Sequence, residues 1–291
     1  MSDIPMFEPQ PQAPRCIKSK KLLIKLLTFA VFPKSLRKNL RQRLAWWLHI
    51  GAQPYNPKCQ KLLAQAQEAF FRQCGEIDYN RYQIISLGSD CLSRTLPTFW
   101  RLKPRKKDGE KGYPFDLSAN NITGMVRNLQ SDFADFYNGL TWSNAFNCFL
   151  NTRSGSYYFH EDDLTDTPES VDLFKQRFDK RIQNFREALK ADKPLIFVFH
   201  YGEPICYSQP QEFEALYNQI KKMRGNKPMR WLVVDTSRTL KPEHPDVEYY
   251  IPDFLPKGYV WHTDACRFSA QGIRFEQELA TKLYRLITTI A

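Results

Sequence analysis

The chain has no Cys-x-x-Cys pair, no uninterrupted apolar run of membrane-spanning length, no Asp-x-Asp motif and, between residues 15 and 43, no acidic side chain. Each absence excludes something. Its seven cysteines (16, 59, 74, 91, 148, 206 and 266) are odd in number, widely spread and never clustered with histidine at zinc spacing. Neither a disulfide framework nor a bound metal is expected, and most of the thiols should be small buried hydrophobes in a reducing compartment. Met1–Pro14 holds four prolines and lacks the apolar core of a secretory signal, so it is expected to be a disordered leader. The apolar stretch Leu22–Phe32 is interrupted by Lys25 and closed by Pro33. It falls well short of the ~20 residues that a spanning helix needs. Without Asp-x-Asp, the nucleotide-sugar signature of many glycosyltransferases is missing.

What is present is, first, charge in one place. Of a formal net charge of +11, ten cations lie between Arg15 and Arg43, so the rest of the chain is close to neutral. Within that segment Leu22, Leu23, Leu26, Leu27 and Ala30 recur at helical spacing, with Lys18, Lys21 and Lys25 toward the other side. After Pro33 a second basic stretch places Leu36, Leu40, Leu44 and Trp47 on one stripe, next to Trp46. Indole rings suit a headgroup interface, and each basic residue near an anionic surface contributes about 1 kcal/mol. Residues 15–50 are therefore expected to be a basic amphipathic segment that associates with an anionic membrane surface; two ordinary surface helices are the plainer alternative. Nucleic acid is not an expected partner, because the basic segment carries no readout fold.

Residues 51–57, Gly-Ala-Gln-Pro-Tyr-Asn-Pro, have linker composition. A hydrophobic content of 42% with 14% aromatics supports a packed core beyond it, expected as a single catalytic domain over 58–291. Tyr82–Leu87, Leu195–Phe199 and Trp231–Val234 are short, continuous apolar runs of the kind buried on both faces of a parallel sheet. Glu248–Ile251 is a candidate fourth strand. Helical patterns fall at 57–73, 118–130, 169–190, 211–224 and 269–289. The alternation predicts a layered α/β domain with a mostly parallel central sheet flanked by helices, and a site beyond the carboxyl ends of the strands. An α+β arrangement is the alternative.

The first run enters Ser86-Leu-Gly-Ser-Asp-Cys-Leu. Gly88 permits a tight turn, and Ser89 or Asp90 can cap a helix that would carry Cys91 in its first turn. Unpaired N–H groups and the helix dipole there are expected to lower the thiol's pKa, which makes Cys91 the candidate nucleophile; a cysteine packed under the helix is the plain reading. Ser89, Asp90 and Asp235, all at strand ends, are candidate substrate-binding residues. His200 ends the second run and is a candidate base by position. His160, in Tyr157-Tyr-Phe-His-Glu-Asp-Asp, and His262 are others; His49 and His244 are expected at the surface.

Four elements in order, Ile84-Ile-Ser-Leu-Gly-Ser-Asp-Cys, Gly112-Tyr-Pro-Phe-Asp-Leu, Ser156-Tyr-Tyr-Phe-His-Glu and Phe174-Lys-Gln-Arg-Phe-Asp-Lys-Arg-Ile-Gln-Asn-Phe, resemble a bacterial family of unknown function whose members are labelled papain-like cysteine peptidases. The resemblance covers about residues 82–200, with Leu117 where that family has tryptophan. It implies Cys91 as nucleophile, His160 as general base and Asp116 as a residue that orients the base or binds substrate. The N-terminal segment resembles the membrane-proximal part of bacterial capsule and lipopolysaccharide assembly enzymes, which implies work on a lipid-linked or envelope glycan at the cytoplasmic face of the inner membrane; the acyl-transfer reading adds a small-molecule acyl donor. The strand–Gly-x-x-Cys order also resembles a capsule enzyme taken to move acetyl groups from coenzyme A, the one cofactor-like molecule the sequence suggests.

The expected function is thus a cysteine-dependent acyl-transfer enzyme, hydrolase or acyltransferase, of envelope polysaccharide biosynthesis. The alternatives are a non-catalytic membrane-bound scaffold, a glycosyltransferase of the same pathway, and a serine esterase built on Ser89. The last has Arg267 where its late block needs histidine.

Overall fold

A computed structural model describes residues 57–161, 163–202, 210–240, 242–255 and 259–290. The expected leader and membrane-associating segment lie outside the described residues, as does His49. The described residues form two compact units, one of 57–73 with 254–277 and one of 74–253 with 278–290.

The smaller unit contains most of helix α1 (Pro57–Cys74), the short helix α6 (Asp264–Arg267) and the first turns of α7 (Ala270–Ile290). Tyr259 packs edge-to-face on Phe275 at 5.6 Å, and Arg267 Nε pairs with Glu276 Oε1 at 2.7 Å.

The larger unit is built on a four-stranded sheet in the order β1 (Gln83–Gly88), β5 (Leu195–Tyr201), β6 (Met229–Asp235), β7 (Val247–Tyr250), parallel throughout. This is the α/β architecture expected from the apolar runs. Successive side chains of a strand point to opposite faces. Ile85, Leu87, Phe197, Phe199, Trp231 and Val233 join the main core, while Ile84, Ile196, Val198, Leu232 and Val234 are buried on the other face. Burial on both faces explains why the runs are apolar throughout rather than alternating. The main core is completed by α4 (Pro168–Lys190), which contributes Phe174, Phe178, Ile182 and Phe185, and by α5 (Pro210–Arg224), with Leu216, Tyr217 and Ile220.

Helix ends are closed by identifiable groups. Thr167 accepts the Ser170 N–H at the start of α4. At its far end the buried Arg224 guanidinium donates to the carbonyls of Ala188, Leu189 and Ala191, and also to those of Lys193 and Pro228. Helix α3 (Ile122–Gln130) starts at the cap Asn121; the helical pattern expected from residue 118 is preceded instead by a buried turn.

Between α3 and α4 lies a second sheet that the hydrophobic pattern does not announce. Strands β2 (Leu140–Ser143), β3 (Cys148–Asn151) and β4 (Ser156–Tyr158) pair antiparallel in that order. One further bridge, Ala119 to Tyr157, ties its outer strand to the segment that follows Asp116.

Candidate active site

Helix α2 (Leu92–Phe99) starts four residues after the end of β1, and Cys91 occupies its N-cap position in αR conformation. The turn is tight because β1 and β5 are paired up to their ends. Gly88 has φ +123°, and a Cβ there would lie 2.3 Å from the His200 carbonyl oxygen. Asp90 Oδ1 accepts the Leu92 N–H at 2.9 Å, so the carboxylate beside the cysteine, not its sulfur, caps the helix.

All four sequence elements converge here. Cys91 Sγ lies 3.0 Å from His160 Nε2, across a separation of 69 residues. The imidazole is delivered by the turn after β4. That turn is held on one side by the paired hydrogen bonds between Ala119 and Tyr157, both 2.9 Å. On the other side Glu161, next to His160, is clamped by Arg177 Nη1 at 2.9 Å and Arg181 Nη2 at 2.6 Å, one turn apart on α4. Tyr157 and Phe159 stack within the same turn at 5.6 Å. His160 itself is exposed, and among the described residues no hydrogen bond holds its Nδ1. Asp116 does not supply one. Its Oδ2 accepts the Tyr113 N–H at 2.9 Å and lies 3.8 Å from Arg94 Nε, and its buried Oδ1 has no hydrogen-bond partner among the described residues. Arg94 and Lys103 share the buried Glu110, forming a charge network behind Asp116.

The thiol is not the acidified one expected. Burial first, then the carboxylates of Asp90 and Asp116, push its pKa up from 9.0 to about 12. A helix start contributes only about 0.3–1 kcal/mol in the opposite sense, which is less than a tenfold change in acidity. Here the first N–H already donates to Asp90, so even that is reduced. Desolvation and like charge win, and the sulfur rests as a thiol.

The second imidazole is differently placed. His200 is buried at the end of β5; Nδ1 donates to Asp90 Oδ1 at 2.8 Å, and Nε2 lies 3.2 Å from Thr236 Oγ1. Among the described residues it makes no hydrogen bond to Cys91; its partner on that side is Asp90, the residue before the cysteine. Ser89 is buried, and its hydroxyl contacts the carbonyls of His200 and Gly202 and accepts the Gly202 N–H at 3.2 Å. Asp235 is fully buried. Oδ1 accepts the N–H groups of Ser237 and Arg238, and Oδ2 those of Thr239 and Leu240 plus the Tyr249 hydroxyl. Of the three candidate substrate contacts, Ser89 and Asp235 are thus anchors of the sheet rim with no surface for a ligand, and only Asp90 is partly open. His244 stacks on Tyr217 at 3.8 Å with Nε2 2.8 Å from Glu214, and His262 is exposed in the smaller unit.

Sequence reasoning did not single out Arg94, Lys103, Glu110, Arg177 or Arg181. The signal available for two of them was their spacing: Arg177 and Arg181 are four apart, a spacing that places them on one face of a helix. Comparison of the chain with family models, with curated proteins and with solved structures finds no match.

Proposed function

We propose that the protein is a cysteine-dependent acyl-transfer enzyme, with Cys91 as nucleophile and His160 as general base. The observation that carries this reading is the 3.0 Å approach of Cys91 Sγ to His160 Nε2 at the carboxyl edge of the parallel sheet. Because the thiol rests protonated, the base must act during attack. His160 Nε2 takes the proton from Sγ as the sulfur adds to the substrate carbonyl, forming the C–S bond. The Cys91 N–H, which has no acceptor among the described residues, is the candidate donor to the resulting oxyanion. Collapse breaks the bond to the leaving group, which departs with the proton from His160. The thioester is then attacked by a hydroxyl, an amine or water, deprotonated by the same imidazole, and the thiol is regenerated. Asp116 is buried and serves this site by accepting the Tyr113 N–H and facing Arg94 rather than by touching the substrate.

The attachment reading belongs with this proposal: the cations of residues 15–43 hold the enzyme on an anionic membrane surface, where a lipid-linked glycan would be its acceptor. No described helix is long and apolar enough to cross a membrane. Full-length protein is expected to bind anionic vesicles in a salt-sensitive manner, and protein lacking residues 1–52 to remain unbound. Equal binding by the two would remove the anchor assignment.

The catalytic test is acyl capture. Incubation with a small acyl thioester should leave one acyl group on Cys91, located by peptide mass spectrometry, and none on the Cys91→Ala protein. An adduct on Cys148 instead, or none at all, would reject the nucleophile.

A further inference from the structure

We infer that Arg181 is a positioning residue of this site: from one face of α4 it fixes both the turn that carries His160 and the turn that carries Asp116. This rests on the acyl-transfer reading for the task of the imidazole, while the positioning itself stands on geometry. His160 is exposed, and among the described residues no hydrogen bond holds its Nδ1. Where a histidine activates a nucleophile, a third group usually fixes the ring from that nitrogen. Here the ring is placed by the backbone that carries it, and that backbone is gripped one residue on. The Glu161 side chain is only 7% exposed, with Oε1 2.6 Å from Arg181 Nη2 and Oε2 2.9 Å from Arg177 Nη1. A carboxylate so far from water stays there only while its charge is paired. Once unpaired it turns toward solvent, and the neighbouring imidazole moves with it.

The two arginines are not equivalent. Arg177 divides its guanidinium between Glu161 and Asp163, whose side chain is mostly exposed. Among the described residues Arg181 has Glu161 as its one carboxylate partner, and its guanidinium lies 4.4 Å from the centre of the buried Phe178 ring. The same side chain runs past Gly112: a Cβ there would stand 3.7 Å from Arg181 Cγ and 3.8 Å from its Nε. Three residues further along α4, Asn184 Nδ2 donates to the Gly112 carbonyl at 3.1 Å. Gly112 leads into the turn Tyr113–Asp116, in which the Asp116 N–H donates to the Tyr113 carbonyl and the Tyr113 N–H to Asp116 Oδ2. Positions 177, 181 and 184 share one helix face. One strip of α4 therefore holds the segments of both His160 and Asp116, and Arg181 is the member that touches the two.

The test compares Arg181→Met, Arg181→Lys and Arg177→Met in the full chain by two readouts. One is the rate of Cys91 alkylation by iodoacetamide as a function of pH. The other, in protein with labelled histidine, is the nuclear Overhauser contact between the His160 ring and the Cys91 β-protons. In Arg181→Met the rate at pH 7 should fall about tenfold or more, its pH dependence should approach that of His160→Ala protein, and the ring contact should be lost. Lysine can pair with Glu161 through a single donor, so Arg181→Lys should recover to within about threefold of the parent. Arg177→Met should also stay within about threefold, because Arg181 still holds Glu161. In a His160→Ala background Arg181→Met should change the rate by less than about twofold, since an effect routed through the imidazole vanishes with it. If Arg181→Met does not fold, Glu161→Gln replaces it: the shape is kept, but the amide must meet one guanidinium donor to donor, and the same changes are expected at smaller size. A parent-like rate and ring contact in the variant that folds would overturn the assignment. So would an undiminished effect in the His160→Ala background, absence of the contact from the parent, or a larger loss in Arg177→Met. Loss of the ring contact in Arg181→Met, with a parent Cys91 that captures no acyl group, would leave the positioning standing and reject the acyl-transfer reading instead.

Discussion

The two imidazoles at the carboxyl edge of the sheet make opposite use of similar distances. His200 is buried, with a carboxylate on one nitrogen and a hydroxyl near the other, and it closes the rim between β5 and β6. His160 is exposed, with one nitrogen against a thiol and, among the described residues, no hydrogen bond on the other. A ring held on both sides in low dielectric gives order; a ring held on one side, near solvent, can accept a proton and return it. The difference teaches that a histidine at a strand end is not thereby the base. The accessible one comes from the irregular turn beside the sheet, and two arginines of α4 hold that turn through Glu161.

The comparison breaks most visibly if the two histidines are removed separately. In His160→Ala, alkylation of Cys91 by iodoacetamide at pH 7 should fall about 100-fold, the scale of a lost general base. Its remaining rate should climb about tenfold per pH unit, because a thiol near pKa 12 gains thiolate as pH rises toward that value. The melting temperature should hardly change, since the ring is exposed. Equal rates for the variant and the parent would show that the 3.0 Å contact is inert.

Gly88→Ala comes next, and it acts on the fold rather than the chemistry. Its Cβ would meet the His200 backbone at 2.3–2.6 Å in a conformation that side chains rarely adopt. A loss of about 3 kcal/mol is expected in urea denaturation, combining overpacking with backbone strain. A loss below about 1 kcal/mol would mean that β1 and β5 can separate at this end. His200→Ala should follow, at about 1–3 kcal/mol for the partners left unsatisfied around Thr236 and Asp90. In that variant alkylation of Cys91 should stay within threefold of the parent. A large rate loss without a stability loss would exchange the roles of the two rings.

Much of the fold was legible because burial on both faces leaves an unmistakable mark. Leu195-Ile-Phe-Val-Phe and Trp231-Leu-Val-Val admit little other than central parallel strands. The three-stranded sheet was not legible, since strands of three or four residues such as Ser156–Tyr158 are too short to show a period. Asn147 at φ 52° and Gly155 at φ 65° turn the chain between them. Cys91 stood out by its strand–glycine–helix setting. Its distance to His160 could not be read from spacing, because it depends on the Ala119–Tyr157 bridge and on Glu161 being gripped from α4. The direction of the thiol's pKa was misjudged for a related reason. The helix start is visible in sequence, whereas burial and the approach of Asp116 from a segment 25 residues on are tertiary facts.

The smallest effect expected has the opposite sign from the rest and isolates that electrostatic point. Asp90 raises the Cys91 pKa, second only to burial, yet it also caps α2 and accepts from His200. Asparagine keeps an acceptor oxygen in the same place and is an equally good cap, so Asp90→Asn removes the charge while preserving both hydrogen bonds. Below its pKa, a thiol's thiolate fraction rises tenfold for each unit by which that pKa falls. Removing one partly exposed carboxylate should therefore accelerate alkylation at pH 8, by about three- to tenfold. Asp235→Asn makes the control: its carboxylate is committed to the loop at 237–240 and to Tyr249, so stability should drop while the rate at Cys91 holds. High salt should shrink the Asp90 effect only partly, because the sulfur it acts on is largely buried. If Asp90→Asn slows alkylation instead, the carboxylate is serving the reaction through His200. The buried imidazole would then belong to the chemistry after all.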